Sequence, residues 1–238
     1  MIPGAAHALE PHDRSVAGRL NWLRAGVLGA NDGIISIAGL VIGVAAATTG
    51  RIEIATAGVA GLVAGAVSMA LGEYVSVSSQ RDTERALIER ERGELATMPE
   101  AEFAELVGLL EQQGLDPENA NATARQLTER DALKAHLSIE LGIDEEALAN
   151  PWAAAGSSAL AFAAGAIAPL ATILLLPAGL RIAVTVASVL IALVATGWVS
   201  AALGGAHRGR AILRLTVGGA LAMAVTFSVG YLFGVAAG

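Results

Sequence analysis

The sequence contains no cysteine. That excludes a disulfide framework, thiolate metal sites and cysteine nucleophiles. It has no proline between Ile52 and Met98 and no glycine between Glu73 and Arg92. A helix begun in that stretch meets nothing that would stop it. Lys134 is the one lysine among the 15 bases, so arginine carries nearly all the positive charge. The first twenty residues lack an apolar core and include Glu10, Asp13 and two histidines, so they do not read as a cleavable signal peptide. No Glu-x-x-His ends at His136, because Leu133 stands three residues before it. That weakens a carboxylate-bridged di-iron oxidase.

What is present is strongly apolar. Hydrophobic residues make up 54% of the 238, and they fall in long runs. The class is therefore an all-α polytopic membrane protein, with 28 glycines for close helix packing. Five transmembrane helices are expected, over about 25–48, 52–77, 153–176, 180–203 and 211–236. Residues 1–24 read as an N-terminal amphipathic segment on the membrane surface. Residues 25–80 hold spans one and two, 81–150 a three-helix insert, and 151–238 spans three to five. The second span shows no boundary where lipid should end. It continues as one helix to Thr97, where Met98-Pro99 stops it and starts a second helix ending at Gly114. Asp116-Pro117 caps a third, reaching about Leu141 before Gly142. Pro169 is expected to kink the third span.

Charge is divided unevenly along the chain. Asp82–Glu146 holds 17 acids and 6 bases, a net of −11; the rest holds 5 acids and 9 bases, a net of +4. The acidic insert repels nucleic acid and attracts cations. With the N-terminus and insert cytoplasmic and the C-terminus outside, only Arg51 and Arg181 of the 15 bases lie outside. The arginine-rich composition favours a bacterial plasma membrane, with a vacuolar membrane as the alternative.

Two groups of residues point to metal. Inside the membrane, Asp32 lies eight residues after Arg24 and Glu73 eight before Arg81. Both carboxylates therefore sit roughly 12 Å from the cytoplasmic arginines. Met69, four residues before Glu73, shares its face. A carboxylate with a thioether suits a borderline transition ion. The plain alternatives are that Asp32 satisfies backbone at a broken helix, that Glu73 pairs with an arginine, and that Met69 only packs. In the insert, Glu91 and Glu94 on the long helix and Glu102 and Glu105 on the next repeat one spacing. His136 and Glu140 share a face of the third helix. Carboxylates gathered from three helices repel unless cations sit between them, and an imidazole among them suits Fe²⁺, Mn²⁺ or Zn²⁺. The alternative is a solvated acidic surface in which Arg85, Arg90 and Arg92 make intrahelical pairs.

Gly29/Gly33, Gly39/Gly43 and Gly61/Gly65 have the spacing that permits close helix approach. Five spans have no internal twofold, so a pathway built from two copies of the first span is one solution. That makes the protein a homodimer.

The segments GANDGIIS (Gly29–Ser36) and AGLVAGAVSMALGEYVSVSSQRD (Ala60–Asp82), with the acidic three-helix insert, resemble the vacuolar iron transporter family, including its nodulin-like and yeast vacuolar members. The resemblance runs from about residue 18 to the end. It implies a dimer of five-span subunits that moves Fe²⁺, often also Mn²⁺, out of the cytosol in exchange for protons. It implies that Asp32 and Met69 line the pathway at the dimer interface, with Glu73 close by. Glu91, Glu94, Glu102, Glu105 and Glu140 match metal-binding positions of the family's insert. Some members have methionine near where His136 stands. The expected protein is thus a proton-coupled exporter of divalent metal, not an enzyme, in a lipid membrane and with no permanently bound cofactor. A metal-regulated channel or sensor without obligatory proton exchange is the alternative.

Overall fold

Helix punctuation sets the architecture. The computed structural model describes residues 15–237. Seven α-helices appear among them, with no strand: α1 (Ser15–Ala47), α2 (Arg51–Thr97), α3 (Pro99–Gln112), α4 (Pro117–Ile139), α5 (Pro151–Leu175), α6 (Ala178–Leu203) and α7 (Arg208–Ala237). A single 3₁₀ turn, Glu145–Ala147, precedes α5. Five helices, α1, α2, α5, α6 and α7, are long and apolar enough to cross a membrane. Of the amphipathic segment expected at 1–24, residues 1–14 lie outside the described residues. From Ser15 the backbone runs into the first span without a break, so no separate surface helix ends at Arg24. Single glycines at 18 and 26 do not interrupt the helix.

The chain divides into two compact units, Ser76–Asn150 and the residues flanking it. In the flanking unit, α1 is the central helix and the most buried of the five. One side of α1 forms a core through Ile37, Val41 and Ala45 with Phe162, Ala166 and Ile173 of α5 and Ile54 of α2. Another side packs Ile34, Ala38 and Ile42 against Val189 and Leu193 of α6 and Met223 of α7. The expected glycine pairs are used inside the subunit. A Cβ on Gly33 would run into the backbone of Phe162, and one on Gly29 would stand 2.8 Å from the Ser158 carbonyl. Gly43 approaches the Thr226 carbonyl in the same way on α7. These contacts leave α1 one open stripe, Leu28, Ser36 and Leu40 exposed with Asp32 half-buried between them. On α2, Gly61 and Gly65 face Leu40 and the Phe162 ring. The opposite face, Val59, Val63, Val67, Leu71 and Val75, is exposed along its length.

Arg51 and Arg181, the two bases expected outside, each cap another hairpin. Arg181 is buried at 3% exposure in the first turn of α6, and its guanidinium donates to the carbonyls of Thr48 (3.1 Å) and Thr49 (3.3 Å) just past α1. Arg51 donates to the Leu176 carbonyl just past α5 at 3.5 Å. A cation at a helix C-terminus satisfies orphan carbonyls and complements the dipole, so neither arginine needs a carboxylate.

In the other unit, Leu106 and Leu110 of α3 pack against Ala120, Ala124 and Ala135 of α4. Gly114, at φ +103°, ends the α3 turn, and the Asp116 carboxylate caps α4 by accepting from Asn119 N–H at 3.0 Å. The expected single third helix reaching Leu141 is corrected. Asp131 is extended (φ −170°, ψ 95°), and its carboxylate accepts from Lys134 N–H at 3.0 Å. An aspartate side chain competes for backbone donors, so it ends one helical run and caps the next. The second run ends at Ile139.

Candidate metal site

Three backbone elements deliver the insert's central side chains. On α2, Ile88 and Glu91 are three apart and both buried, so this turn of the long helix faces inward. Glu102 enters from the first turn of α3, where a carboxylate is favoured by the helix dipole. His136 enters from the short run that Asp131 caps, and Glu140 follows one turn later.

They converge on the imidazole. His136 Nδ1 lies 3.0 Å from Glu91 Oε1, 3.5 Å from Glu140 Oε2 and 3.7 Å from Glu102 Oε2. Ligand atoms of Glu91, Glu102 and His136 all fall within 4.8 Å of one another, and all three residues are buried. Glu91 Oε1 and His136 Nδ1 are both buried without a hydrogen-bond partner, despite their 3.0 Å approach. Buried polar atoms are rarely left so. Two donor atoms that face one another without forming a hydrogen bond suit a shared cation. Three carboxylates and an imidazole form a hard-to-borderline set that Fe²⁺, Mn²⁺ or Zn²⁺ accepts.

The electrostatics agree with the geometry. Burial pushes the Glu91 carboxyl above the ordinary range, and the charge of Glu140 adds to it; His136 opposes the shift, and Glu102 and Glu94 reinforce it. Burial likewise raises Glu102, with Glu105 next, His136 opposing, and Glu94 and Glu140 adding. The site thus stores repulsion that a cation or a proton relieves.

The other expected insert ligands stand further out. Glu94 is half-buried and accepts from Arg90 Nε at 3.0 Å. Glu105 is exposed and acts on Glu102 through its charge. The solvated-surface alternative describes the outer face: Arg90 pairs with Glu94, and Arg92 with Glu89 at 2.6 Å and with Glu145 at 3.3 Å. It does not describe buried Glu91, Glu102 and His136. Sequence spacing missed Asp131, whose cap aims His136. An aspartate directly before Ala-Leu-Lys in a polar run was the available signal.

In the membrane unit, α1 is helical straight through Asp32, which removes the broken-helix alternative. The Ser36 hydroxyl donates to Asp32 Oδ1 at 2.6 Å, on the open stripe of α1. Met69 is half-buried against the core of α1 and α5. Glu73 is half-buried one turn later, and no arginine pairs with it among the described residues.

The chain is similar in sequence to known proteins over most of its length. A vacuolar iron transporter of Acanthamoeba castellanii is 44% identical over 220 residues, covering 92% of this chain and 81% of that protein. Vacuolar iron transporter homolog 1 of Oryza sativa subsp. japonica is 40% identical over 237 residues, covering 98% and 84%. Vacuolar iron transporter homolog 2 of Arabidopsis thaliana is 40% identical over 217 residues, covering 91% and 86%. The profile of the VIT family matches residues 23–231, and the chain belongs to that family.

Proposed function

We propose that this protein is a transporter, not an enzyme, and that it exports divalent transition metal, Fe²⁺ and also Mn²⁺, from the cytosol in exchange for protons. The observation that carries the reading is the convergence of Glu91, Glu102 and His136 with two unpartnered buried donor atoms. Relatives named as vacuolar iron transporters support iron as cargo. In this reading the insert is cytoplasmic and captures metal, with Glu140 completing the inner ligand set and Glu94 and Glu105 drawing cations to the rim. Zn²⁺ fits the same ligands. Asp32, Met69 and Glu73 form the membrane pathway, completed by a second copy. Exposed Leu28 and Ser36 of α1 and the exposed face of α2 support a homodimer, because these residues stand open on the surface of the single subunit. The charge distribution supports an N-terminus inside and a C-terminus outside; the arginine-rich composition favours a bacterial plasma membrane, with a vacuolar membrane, as in the names of the relatives, the alternative.

Ligand chemistry supports proton coupling. Carboxylates raised by burial must shed protons to hold metal, so loading and proton release are linked. Proteoliposome flux tests the proposal. Fe²⁺ or Mn²⁺ movement accelerates with an opposing proton gradient and is lost in Asp32→Ala. Flux that ignores the gradient refutes exchange and leaves a metal-regulated channel.

A further inference from the structure

After Glu146 the chain has no acidic residue, yet it carries four arginines. Arg181 is buried against the end of α1. The other three, Arg208, Arg210 and Arg214, gather at the start of α7, all exposed and none in an ion pair among the described residues. Cations at a helix start are opposed by the helix dipole, so they do not serve the helix itself.

Their surroundings say what they face. The Arg208 guanidinium lies 5.3 Å from the ring centre of Trp198, near the end of α6. A half-exposed tryptophan at the end of a membrane span sits at headgroup level. Arg210 and Arg214 are four apart, so they share a face. That face continues through Val217 (49% exposed) and Leu221 (61% exposed), a stripe turned away from the bundle. Arg214 lies six residues beyond Arg208, roughly 9 Å along the axis, where α7 has become apolar. An arginine heading a lipid-facing stripe snorkels toward the interface and demands an anion there. No carboxylate of α5, α6 or α7 exists to supply it. Phosphate oxygens of a lipid headgroup lie at that depth, and a guanidinium binds them through paired donors.

We propose that Arg208, Arg210 and Arg214, with Trp198 as the interfacial platform, bind the phosphate of an anionic phospholipid in the leaflet at the α6–α7 turn. This rests on the five spans alone and is independent of the metal reading.

The test is native mass spectrometry of the full-length protein released from micelles containing equal phosphatidylglycerol and phosphatidylcholine. The wild type retains phosphatidylglycerol selectively. The combined variant Arg208→Gln/Arg210→Gln/Arg214→Gln loses about fivefold in that preference per arginine removed. Should the triple variant fail to fold, Arg210→Gln alone, at an exposed position, still gives the single-step loss. Equal retention of the two lipids overturns the proposal, as does a preference that survives the substitutions. Loss of bound phosphatidylglycerol on adding millimolar inorganic phosphate assigns a free-anion site and overturns the lipid reading.

Discussion

Glu91→Gln separates a metal ligand from a structural carboxylate, because its two effects have opposite signs. Glu91 carries its charge within 4.8 Å of a Glu102 oxygen. Two unit charges at 4.8 Å repel by about 3.5 kcal/mol at an effective dielectric of about 20, and by about 1 kcal/mol in water. Removing one charge should therefore stabilise the metal-free insert by about 1–3 kcal/mol. His136 acts the other way, so the substitution is also made in a His136→Gln background, where only the repulsion remains. The folded-state pKa of Glu91 is raised, so the folded insert binds more protons than the unfolded one. The carboxyl's contribution is then fully present below the ordinary range and is lost as pH rises through the raised value. The benefit of glutamine should vanish in acid and grow with pH. Hydrogen exchange of the amides of α3 and α4 in chelator, across pH 5 to 8, reads it. Metal titration reads the opposite effect: outer-shell partners are worth about 10–100-fold in affinity, and a direct ligand should lose at least about tenfold. If Glu91→Gln destabilises the metal-free protein in the His136→Gln background, the carboxylate holds the fold and the reasoning fails.

Metal affinity of the wild-type protein should fall as pH drops through the raised values of Glu91 and Glu102, approaching about a hundredfold per unit where both must deprotonate; calorimetry in two buffers of different protonation enthalpy counts the released protons. Asp131→Ala removes the cap of the run that carries His136 and should lower its local stability by about 1 kcal/mol. Exchange of amides 132–139 should then quicken while 117–130 stays protected, and uniform change across α4 would contradict an independent cap. Gly33→Ala drives a methyl into the Phe162 backbone and should abolish folded protein, whereas Gly72→Ala meets nothing within 4 Å and should leave expression and thermal midpoint of the subunit intact. Size-exclusion yield of the two variants side by side decides this.

The ends of α1, α5 and α6 were legible because their apolar runs stop at chain-breaking residues: Gly50, Pro177 and the Gly204-Gly205 pair. The long α2 was legible for the converse reason, having no proline along its length. Glycine spacing gave close approach but not its partner. Whether Gly33 meets a second copy or Phe162 depends on the positions of helices far apart in sequence. In the insert, three-residue spacing made Glu91 adjacent to Glu94 and Glu102 adjacent to Glu105. It did not say which of each pair turns inward. That choice is made by Ile88 and Leu106, whose burial sets the rotation of their helices. Asp131 escaped because a polar helical run hides a cap among other charges.

The arginine caps also set an order of events in time. Arg181 reaches back 133 residues to Thr48, and Arg51 waits 125 residues for Leu176. At roughly 5–20 residues per second, a ribosome makes α6 some 7–26 s after α1 is complete. Through that interval the carbonyls past α1 have no guanidinium. The whole of Ser76–Asn150 is synthesised within it, as one continuous segment able to condense on its own contacts. The membrane unit that flanks it closes later, when α6 and then α7 arrive, so in a nascent chain truncated before Arg181 the insert is complete while the first hairpin is unlatched.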